Sequence, residues 1–313
     1  MLGVMILIVG LPKGLYYYKY HKFIEKFLDN LHISYLTSPN TNKNILNEGI
    51  RTCVDEACLP IKIFHGHVSY LRDKCDLILT PRIMKASDGE YICPKFCGLP
   101  EMIINSIPEL TTITSSPLYL NDKKKIYKWC EKVGKLAGKT PSLIKESFED
   151  ALKYHANEKQ GLDDEKGFSL KIALLGHLYT VYDNHLNMDV INKLHALDAG
   201  VITEECVKMI HIKSAIENLV KKPFWSNMIG TLGSGVHLAQ NNLVDGIVFL
   251  SSFQCGIDSV SIDIMKDMIE DFPMLVLKLD EHSGQAGMDT RLEAFIDMLK
   301  RRKLIDLDIS THG

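Results

Sequence analysis

Short apolar runs alternate along this chain with longer segments in which apolar residues recur every three or four positions. The run at 4–9 is followed by such a segment at 15–31, and the runs at 170–176 and 246–250 also precede helix-like segments. Alternation of this kind is typical of βα units, in which helices join parallel strands and cover both faces of the sheet. The pattern predicts an α/β fold with mostly parallel sheets.

One polar stretch divides this pattern into two halves. The segment "ANEKQGLDDEKG" at 156–167 has the composition of a linker, and a predicted pair of helices over 121–158 comes directly before it. The alternation begins again after the linker, and 313 residues are enough for two domains. We predict two doubly wound, Rossmann-like lobes, an N-terminal lobe at 1–165 and a C-terminal lobe at 166–313, with a cleft between them.

Cap residues mark the ends of several predicted helices. Thr140 and Pro141 stand where the second helix of the pair begins, as N-cap and first helical residue. Thr41 is the predicted N-cap of the helix that follows the second strand. Gly200 is predicted to end the first long helix of the C-terminal lobe.

Composition narrows the class of protein. Hydrophobic residues make up 46% of the chain, charged residues 24%, and the net charge is -3. These values are typical of a soluble globular protein and give no electrostatic reason to expect nucleic acid or an anionic membrane as a partner. The apolar start at 1–9 lacks the basic segment of a signal peptide, and no segment approaches the roughly 20 apolar residues of a membrane span. We therefore expect a buried first strand and a cytoplasmic protein.

The chain has eight cysteines and no secretory signal, which favours metal binding, redox chemistry or core filling over disulfides. No CxxC pair occurs, so the sequence does not resemble a zinc ribbon or a thioredoxin. Cys53 is a weaker metal-site candidate. We expect core filling or surface exposure for Cys75, Cys130 and Cys206.

Chemically active residues follow several predicted strands. His177 comes after the strand at 170–176, Cys255 after the strand at 246–250, and Glu281 with His282 after the last strand. Open α/β sheets bind ligands at the carboxyl ends of their strands. We therefore expect a functional cleft at this edge, with Glu281 or His282 moving protons.

Three cysteines share one local setting, a loop that turns into a helix. They are Cys58 in "VDEACLPIK", Cys93 in "YICPKFCGLP" and Cys255 in "FQCGIDS", where Asp258 or Ser259 is a predicted helix cap. The N-terminus of a helix favours a thiolate. These three are our predicted metal ligands, and Cys97, four residues after Cys93, is a candidate fourth. Spacing alone leaves both zinc and a [4Fe–4S] cluster open.

Five segments carry a resemblance to a known family. They are "GLPKGLYYYKYHKF", "DEACLPIKIFHGHV", "EYICPKFCGLPEMI", "FQCGIDS" and "EHSGQAGMDTRLEAFIDML". Together they resemble the acyl-CoA dehydratase activase-related proteins, which are close to the 2-hydroxyacyl-CoA dehydratase, benzoyl-CoA reductase and double-cubane cluster protein group. The resemblance covers nearly the whole chain.

This resemblance implies a low-potential [4Fe–4S] cluster held between two Rossmann-like lobes by Cys58, Cys93 and Cys255. It also implies a separate ATP-hydrolysing activase as electron donor, a small-molecule substrate and a homodimer. A double-cubane cluster is less favoured, since few of the cysteines stand in suitable settings. The side chains expected to line the cleft around the cluster are Glu56, Lys62, His65, His177, Glu281 and His282.

Three functional hypotheses follow. The first is a redox enzyme or electron carrier, in which Lys62 and the histidines tune the cluster potential. The second is a non-catalytic scaffold that builds or delivers a cluster. The third is a zinc protein, or a metal-free one in which the thiols are merely packed.

Because "HGH" at 65–67 is predicted to be helical, one of its faces is expected to be exposed.

Overall fold

The structure is a computed structural model that describes residues 7–312, with the side chains of 306–312 outside the description. These residues form two compact units. The N-terminal unit comprises 7–159 together with Phe224–Ser226, and the C-terminal unit comprises 160–223 and 227–312. The division at 159/160 lies inside the polar stretch at 156–167. The predicted beginning of the first strand, at 4–6, lies outside the described residues.

The N-terminal unit contains a four-stranded sheet and a separate pair of strands. Its strands are β1 (Ile8–Leu11), β2 (Ser34–Thr37), β3 (Leu77–Ile78), β4 (Arg82–Lys85), β5 (Thr112–Ile113) and β6 (Pro117–Tyr119). Its helices are α1 (Tyr17–Asn30), α2 (Lys43–Thr52), α3 (Leu59–Leu71), α4 (Pro94–Cys97), α5 (Leu99–Ser106), α6 (Lys123–Leu136) and α7 (Pro141–Ala156). The sheet has the order β2-β1-β3-β5 with parallel pairing throughout, and β4 pairs with β6.

The C-terminal unit contains a second four-stranded parallel sheet, in the order β10-β9-β7-β8. Its strands are β7 (Leu170–Gly176), β8 (Ala199–Thr203), β9 (Gly246–Ser252) and β10 (Met274–Leu279). Its helices are α8 (Leu178–Val181), α9 (Val190–Ala196), α10 (Met209–Ala215), α11 (Ser226–Gln240), α12 (Gly256–Ile269) and α13 (Gln285–His312), with a 3-10 turn at Glu204–Cys206. The first residue of α11, Ser226, belongs to the N-terminal unit.

The two sheets have the same strand order. When the strands of each sheet are numbered along the chain, both sheets read second, first, third, fourth. In this arrangement the connections leave the first and third strands in opposite directions, and ligands bind where the carboxyl ends of those two strands diverge. The switch point therefore lies at β1 and β3 in the N-terminal unit and at β7 and β9 in the C-terminal unit. The predicted α/β class with Rossmann-like lobes is confirmed.

Helix α3 is buried on nearly every face, and Tyr70 is its one residue that is not buried. The expectation that "HGH" at 65–67 would have an exposed face is therefore wrong, since His65 and His67 are at most 1% exposed. Helices α2 and α3 pack closely because Gly49 and Gly66 lie at their crossing. A Cβ atom at Gly66 would overlap the carbonyl oxygen of Ile45.

The cap predictions had mixed outcomes. Thr140 caps α7 and accepts a hydrogen bond from the backbone N–H of Leu143, as predicted. The N-cap of α2 is Asn42 rather than Thr41, because the hydroxyl of Thr41 hydrogen bonds to a buried histidine ring instead. Gly200 does not end a helix: α9 stops at Ala196, and Gly200 lies within β8.

None of the helices in the described part of the chain combines the length and the apolar character needed to cross a lipid bilayer.

Candidate functional site

Cys58, Cys93 and Cys255 occupy equivalent positions in their local structures. Each is the N-cap residue of a helix, Cys58 of α3, Cys93 of α4 and Cys255 of α12. Each is partly exposed, and none of these three described thiols forms a disulfide or a capping hydrogen bond to its helix. The setting predicted for them, a loop that becomes a helix, is the one observed. The three thiols are therefore accessible for coordination chemistry.

The switch point of the C-terminal sheet brings His177 and Cys255 together. His177 directly follows β7, and Cys255 stands three residues after β9. Gly176, the last residue of β7, has φ +143, and a Cβ atom there would overlap the carbonyl oxygen of Leu250 on β9. Only a glycine fits this backbone without strain. Its close approach to β9 sets the position from which His177 reaches Cys255.

Three donor groups converge at this point. His177 Nε2 lies 3.0 Å from Asp258 Oδ1 and 3.5 Å from Cys255 Sγ. The donor atoms of the three side chains all lie within 4.8 Å of one another, and among the described side chains, those of 7–305, no other group of three or more His, Cys, Asp or Glu residues meets this criterion. His177 and Asp258 are buried, with 6% and 1% exposure, while Cys255 is partly exposed. The arrangement is a small, nearly enclosed polar cluster with a thiol at its open side.

Asp258 does not act as the helix cap that the sequence predicted. It lies in the first turn of α12, three residues after Cys255, so both side chains are on the same face of the helix. Its Oδ1 faces His177, whereas its Oδ2 and His177 Nδ1 are buried without a hydrogen-bond partner among the described residues. Its spacing of three residues from Cys255 indicates a shared helix face, but nothing in the sequence indicates its pairing with His177.

The charge of His177 depends on these neighbours. Burial alone would lower its pKa, because it disfavours the charged imidazolium. The negative charge of Asp258 and its hydrogen bond, with a smaller contribution from Cys255, outweigh burial and raise the pKa of His177 well above its ordinary value. The contacts with Asp258 and Cys255 therefore favour the charged form of the His177 ring, in opposition to its burial.

In the N-terminal unit, Cys58 lies in a region with a second thiol and two lysines. Burial raises the pKa of Cys53 to about 11, and the positive charges of Lys62 and Lys95 act in the opposite direction. Cys58 also acts on Cys53 electrostatically, so these groups are close neighbours. Lys62 is only 2% exposed. The predicted role of Lys62 near the cysteines is thus compatible with its electrostatic effect on Cys53, the weaker candidate of the sequence analysis.

Cys97 is engaged in a different way from the three N-cap cysteines. Its thiol donates a hydrogen bond to the carbonyl oxygen of Ile83 at 3.3 Å. Burial raises its pKa, although the Arg82 guanidinium partly opposes this. The hydrogen bond to Ile83 and burial both favour the protonated thiol, so ligation by Cys97 would require this hydrogen bond to be broken.

The remaining predicted residues lie on several different elements of the two units. His65 Nδ1 bonds to the carbonyl oxygen of Ile61, and burial lowers the pKa of this ring, an effect that the backbone bond opposes. Glu56 is exposed in the loop before α3. Glu281 is partly exposed and His282 is exposed in the turn after β10, where the His282 backbone N–H donates to Asp280 Oδ1. Both of these residues are at the strand end predicted for them.

A cavity of about 110 Å³ lies in the N-terminal unit, next to the carboxyl ends of β1 and β3. Its wall is almost entirely apolar and aromatic, and includes Leu11, Leu79, Phe96 and Trp129. Phe96 belongs to α4, three residues after Cys93. Pockets at such a switch point are common ligand sites in α/β sheets. This unit therefore has room for a small apolar group.

Comparison with known proteins gives one family. The sequence profile of a family described as the CoA enzyme activase uncharacterised domain matches residues 8–207, which is more than half of the chain. A search of curated proteins finds no match. The matched region includes Cys58, Cys93 and His177, while Cys255 and Asp258 lie beyond it.

Proposed function

We propose that this chain, which belongs to the family of the CoA enzyme activase uncharacterised domain, is an iron–sulfur protein that receives electrons from a separate ATP-hydrolysing activase. The family membership supports a role in a CoA enzyme activation system. The proposed cofactor is a [4Fe–4S] cluster ligated by Cys58, Cys93 and Cys255, with Cys97 as a candidate fourth ligand.

The observation that carries this proposal is the shared setting of three cysteines. Each is a partly exposed N-cap residue that forms no disulfide. Iron–sulfur clusters in proteins are held by cysteine thiolates. The long helices α3 and α12 favour a thiolate at their N-termini, because the helix dipole stabilises negative charge there. The donor set therefore fits the cofactor.

The residues around the thiols have roles in this proposal. A bound [4Fe–4S] cluster supplies one-electron chemistry at low potential. Lys62 is buried, acts electrostatically on Cys53 and lies one helical turn after Cys58 in α3. His177 directs Nε2 toward the sulfur of Cys255, and a hydrogen bond to a ligand sulfur shifts a cluster potential. We assign both residues to tuning that potential.

Glu281 and His282 are the proposed acid–base pair for a small substrate. Both follow β10 at the carboxyl edge of the C-terminal sheet, and their exposure allows exchange of protons with solvent. A pair at this edge can deliver a proton after an electron has been transferred.

Anaerobic reconstitution with iron and sulfide tests the proposal. The wild-type protein is expected to gain the broad visible absorption of an iron–sulfur cluster, and reduction should bleach it. Cys58→Ser, Cys93→Ser and Cys255→Ser should each reduce this absorption strongly. Cys75→Ser and Cys206→Ser are matched controls, since neither thiol is an N-cap residue, and both should retain it. A wild-type protein that stays colourless under these conditions contradicts the proposal.

A further inference from the structure

We infer that the C-terminal unit binds one divalent transition-metal ion, zinc or iron(II), through His177 Nε2, Cys255 Sγ and a carboxylate oxygen of Asp258. This site exists in the cluster-free protein and lies within a single unit of the fold. It shares Cys255 with the proposed cluster but does not depend on that cluster, so each can be tested without the other.

Two of the three distances among the donor atoms are close to those of ligands around one ion, and the whole set lies within 4.8 Å. Tetrahedral geometry with Zn–S about 2.3 Å and Zn–N about 2.0 Å places sulfur and nitrogen about 3.5 Å apart, and nitrogen and oxygen about 3.3 Å apart. The corresponding distances here are 3.5 Å between Cys255 Sγ and His177 Nε2, and 3.0 Å between His177 Nε2 and Asp258 Oδ1. An ion can therefore enter with small side-chain movements.

The geometry differs from that of a nucleophile–base–acid relay. In such a relay the histidine uses one ring nitrogen for the nucleophile and the other for the acid. Here Cys255 and Asp258 both face Nε2, while Nδ1 is buried and has no partner among the described residues. Three donors that face a common point are arranged as ligands.

A second observation points to a ligand at this place. Asp258 is 1% exposed, yet its Oδ2 has no hydrogen-bond partner in the described structure. Burying an unpaired carboxylate oxygen carries a substantial free-energy cost. A bound cation offsets this cost, because it neutralises the carboxylate and permits coordination by either oxygen.

The donor set selects the class of metal. A thiolate and an imidazole with one carboxylate suit zinc and iron(II), whereas magnesium and calcium prefer oxygen ligands alone. Three protein ligands leave a fourth tetrahedral position for water, as in catalytic zinc sites. Cys255 is partly exposed and its neighbours Gln254 and Gly256 are exposed, so this position can open toward solvent.

Cobalt(II) titration of the metal-stripped, full-length protein tests the inference. Co²⁺ is the probe because tetrahedral thiolate coordination gives it visible bands and a sulfur-to-cobalt charge-transfer band. We expect one Co²⁺ per chain with both features. Cys255→Ser should abolish the charge-transfer band, and His177→Gln or Asp258→Asn should weaken binding at least roughly tenfold.

Control variants separate this site from the proposed cluster. Cys58→Ser and Cys93→Ser should keep the full cobalt spectrum, although they are expected to lose the cluster. Cys206→Ser removes a thiol of the same unit that lies outside the site, and it should keep this spectrum too. X-ray absorption of the wild-type cobalt protein needs no variant, and should show one sulfur neighbour with the remainder nitrogen or oxygen. Absence of sulfur ligation, or a charge-transfer band that persists in Cys255→Ser, overturns the inference.

Discussion

His67 is an uncharged histidine at the centre of a hydrogen-bond network inside the N-terminal unit. Both of its ring nitrogens are paired with hydroxyl groups, Nδ1 with Ser38 at 2.9 Å and Nε2 with Thr41 at 3.0 Å. The Ser38 hydroxyl also accepts a hydrogen bond from the backbone N–H of Lys13. The imidazole ring of His67 therefore connects α3 to the loops that follow β1 and β2. Burial, with a smaller effect from Lys13, lowers the pKa of His67 to about 3.

This lowered pKa predicts a specific dependence of stability on pH. As pH falls below about 6.5, His67 takes up a proton in the unfolded chain but not in the folded one, so the unfolded state is stabilised. Between about pH 7 and about pH 5, His67 should reduce the free energy of unfolding by about 2 kcal/mol. Chemical unfolding measured at both pH values checks this.

His67→Gln is the informative variant for this pH effect, because glutamine does not titrate. Its loss of stability over the same pH range should be smaller than that of the wild type by about 2 kcal/mol. The exposed His282 provides the control, and His282→Gln should lose stability as the wild type does. Equal pH dependence in His67→Gln and in the wild type would rule out this account of the histidine.

At the scale of elements, two glycines set the positions of the candidate site residues. Gly66 lets α3, which begins after Cys58, lie against α2. Gly176 lets the end of β7, which precedes His177, approach β9. The two positions exclude a side chain for different reasons. At Gly66 close packing alone excludes it, whereas Gly176 also has a left-handed backbone conformation.

Gly66→Ala should destabilise the protein by about 3 kcal/mol, because the new Cβ must push the Ile45 carbonyl oxygen and hence α2 away. The midpoint of denaturant unfolding measures this. Gly287→Ala is the matched helical control, since nothing lies within 4 Å of a Cβ there, and it should be neutral or stabilising by up to about 1 kcal/mol. Similar behaviour of the two variants would contradict the close crossing of α2 and α3.

Gly176→Ala should lower the free energy of unfolding by more than backbone strain alone would. Gly167 has φ +100 and open space around it, so Gly167→Ala measures the strain, about 1 kcal/mol. Gly176→Ala adds an overlap with the Leu250 carbonyl and should cost roughly 3 kcal/mol in total. If the free energies of unfolding of the two variants fall equally, β7 does not approach β9 as described.

Local signals in the sequence predicted most elements but not how they pack. The sequence predicted strands β7 and β9 from their apolar runs, and the start of α7 from Thr140 followed by Pro141. These signals are visible in the sequence because periodicity and cap chemistry depend on neighbouring residues. The burial of α3 was not predicted, since its histidines and lysine suggest an exposed face and their burial depends on distant partners such as Ser38. Phe224–Ser226 return to the N-terminal unit with two backbone hydrogen bonds and two aromatic contacts to Tyr91, and composition does not encode contacts between such distant residues.

At the scale of the whole molecule, two units with the same strand order each carry candidate cysteines at helix starts. The sequence predicted these cysteines from their loop-to-helix setting. It missed Asp258 as a partner of His177, because the switch point that joins them depends on the pairing of β7 with β9. Strand order arises from contacts between distant residues, so one sequence alone does not reveal it.

Iron and acid-labile sulfide content of the anaerobically purified wild-type protein tests the central claim most directly. The account predicts iron and sulfide in equal amounts, about four of each per chain for a [4Fe–4S] cluster. It also predicts that both fall together in Cys58→Ser. Protein that carries zinc or iron without any sulfide under strictly anaerobic conditions, even after reconstitution, would contradict the claim that this is an iron–sulfur protein.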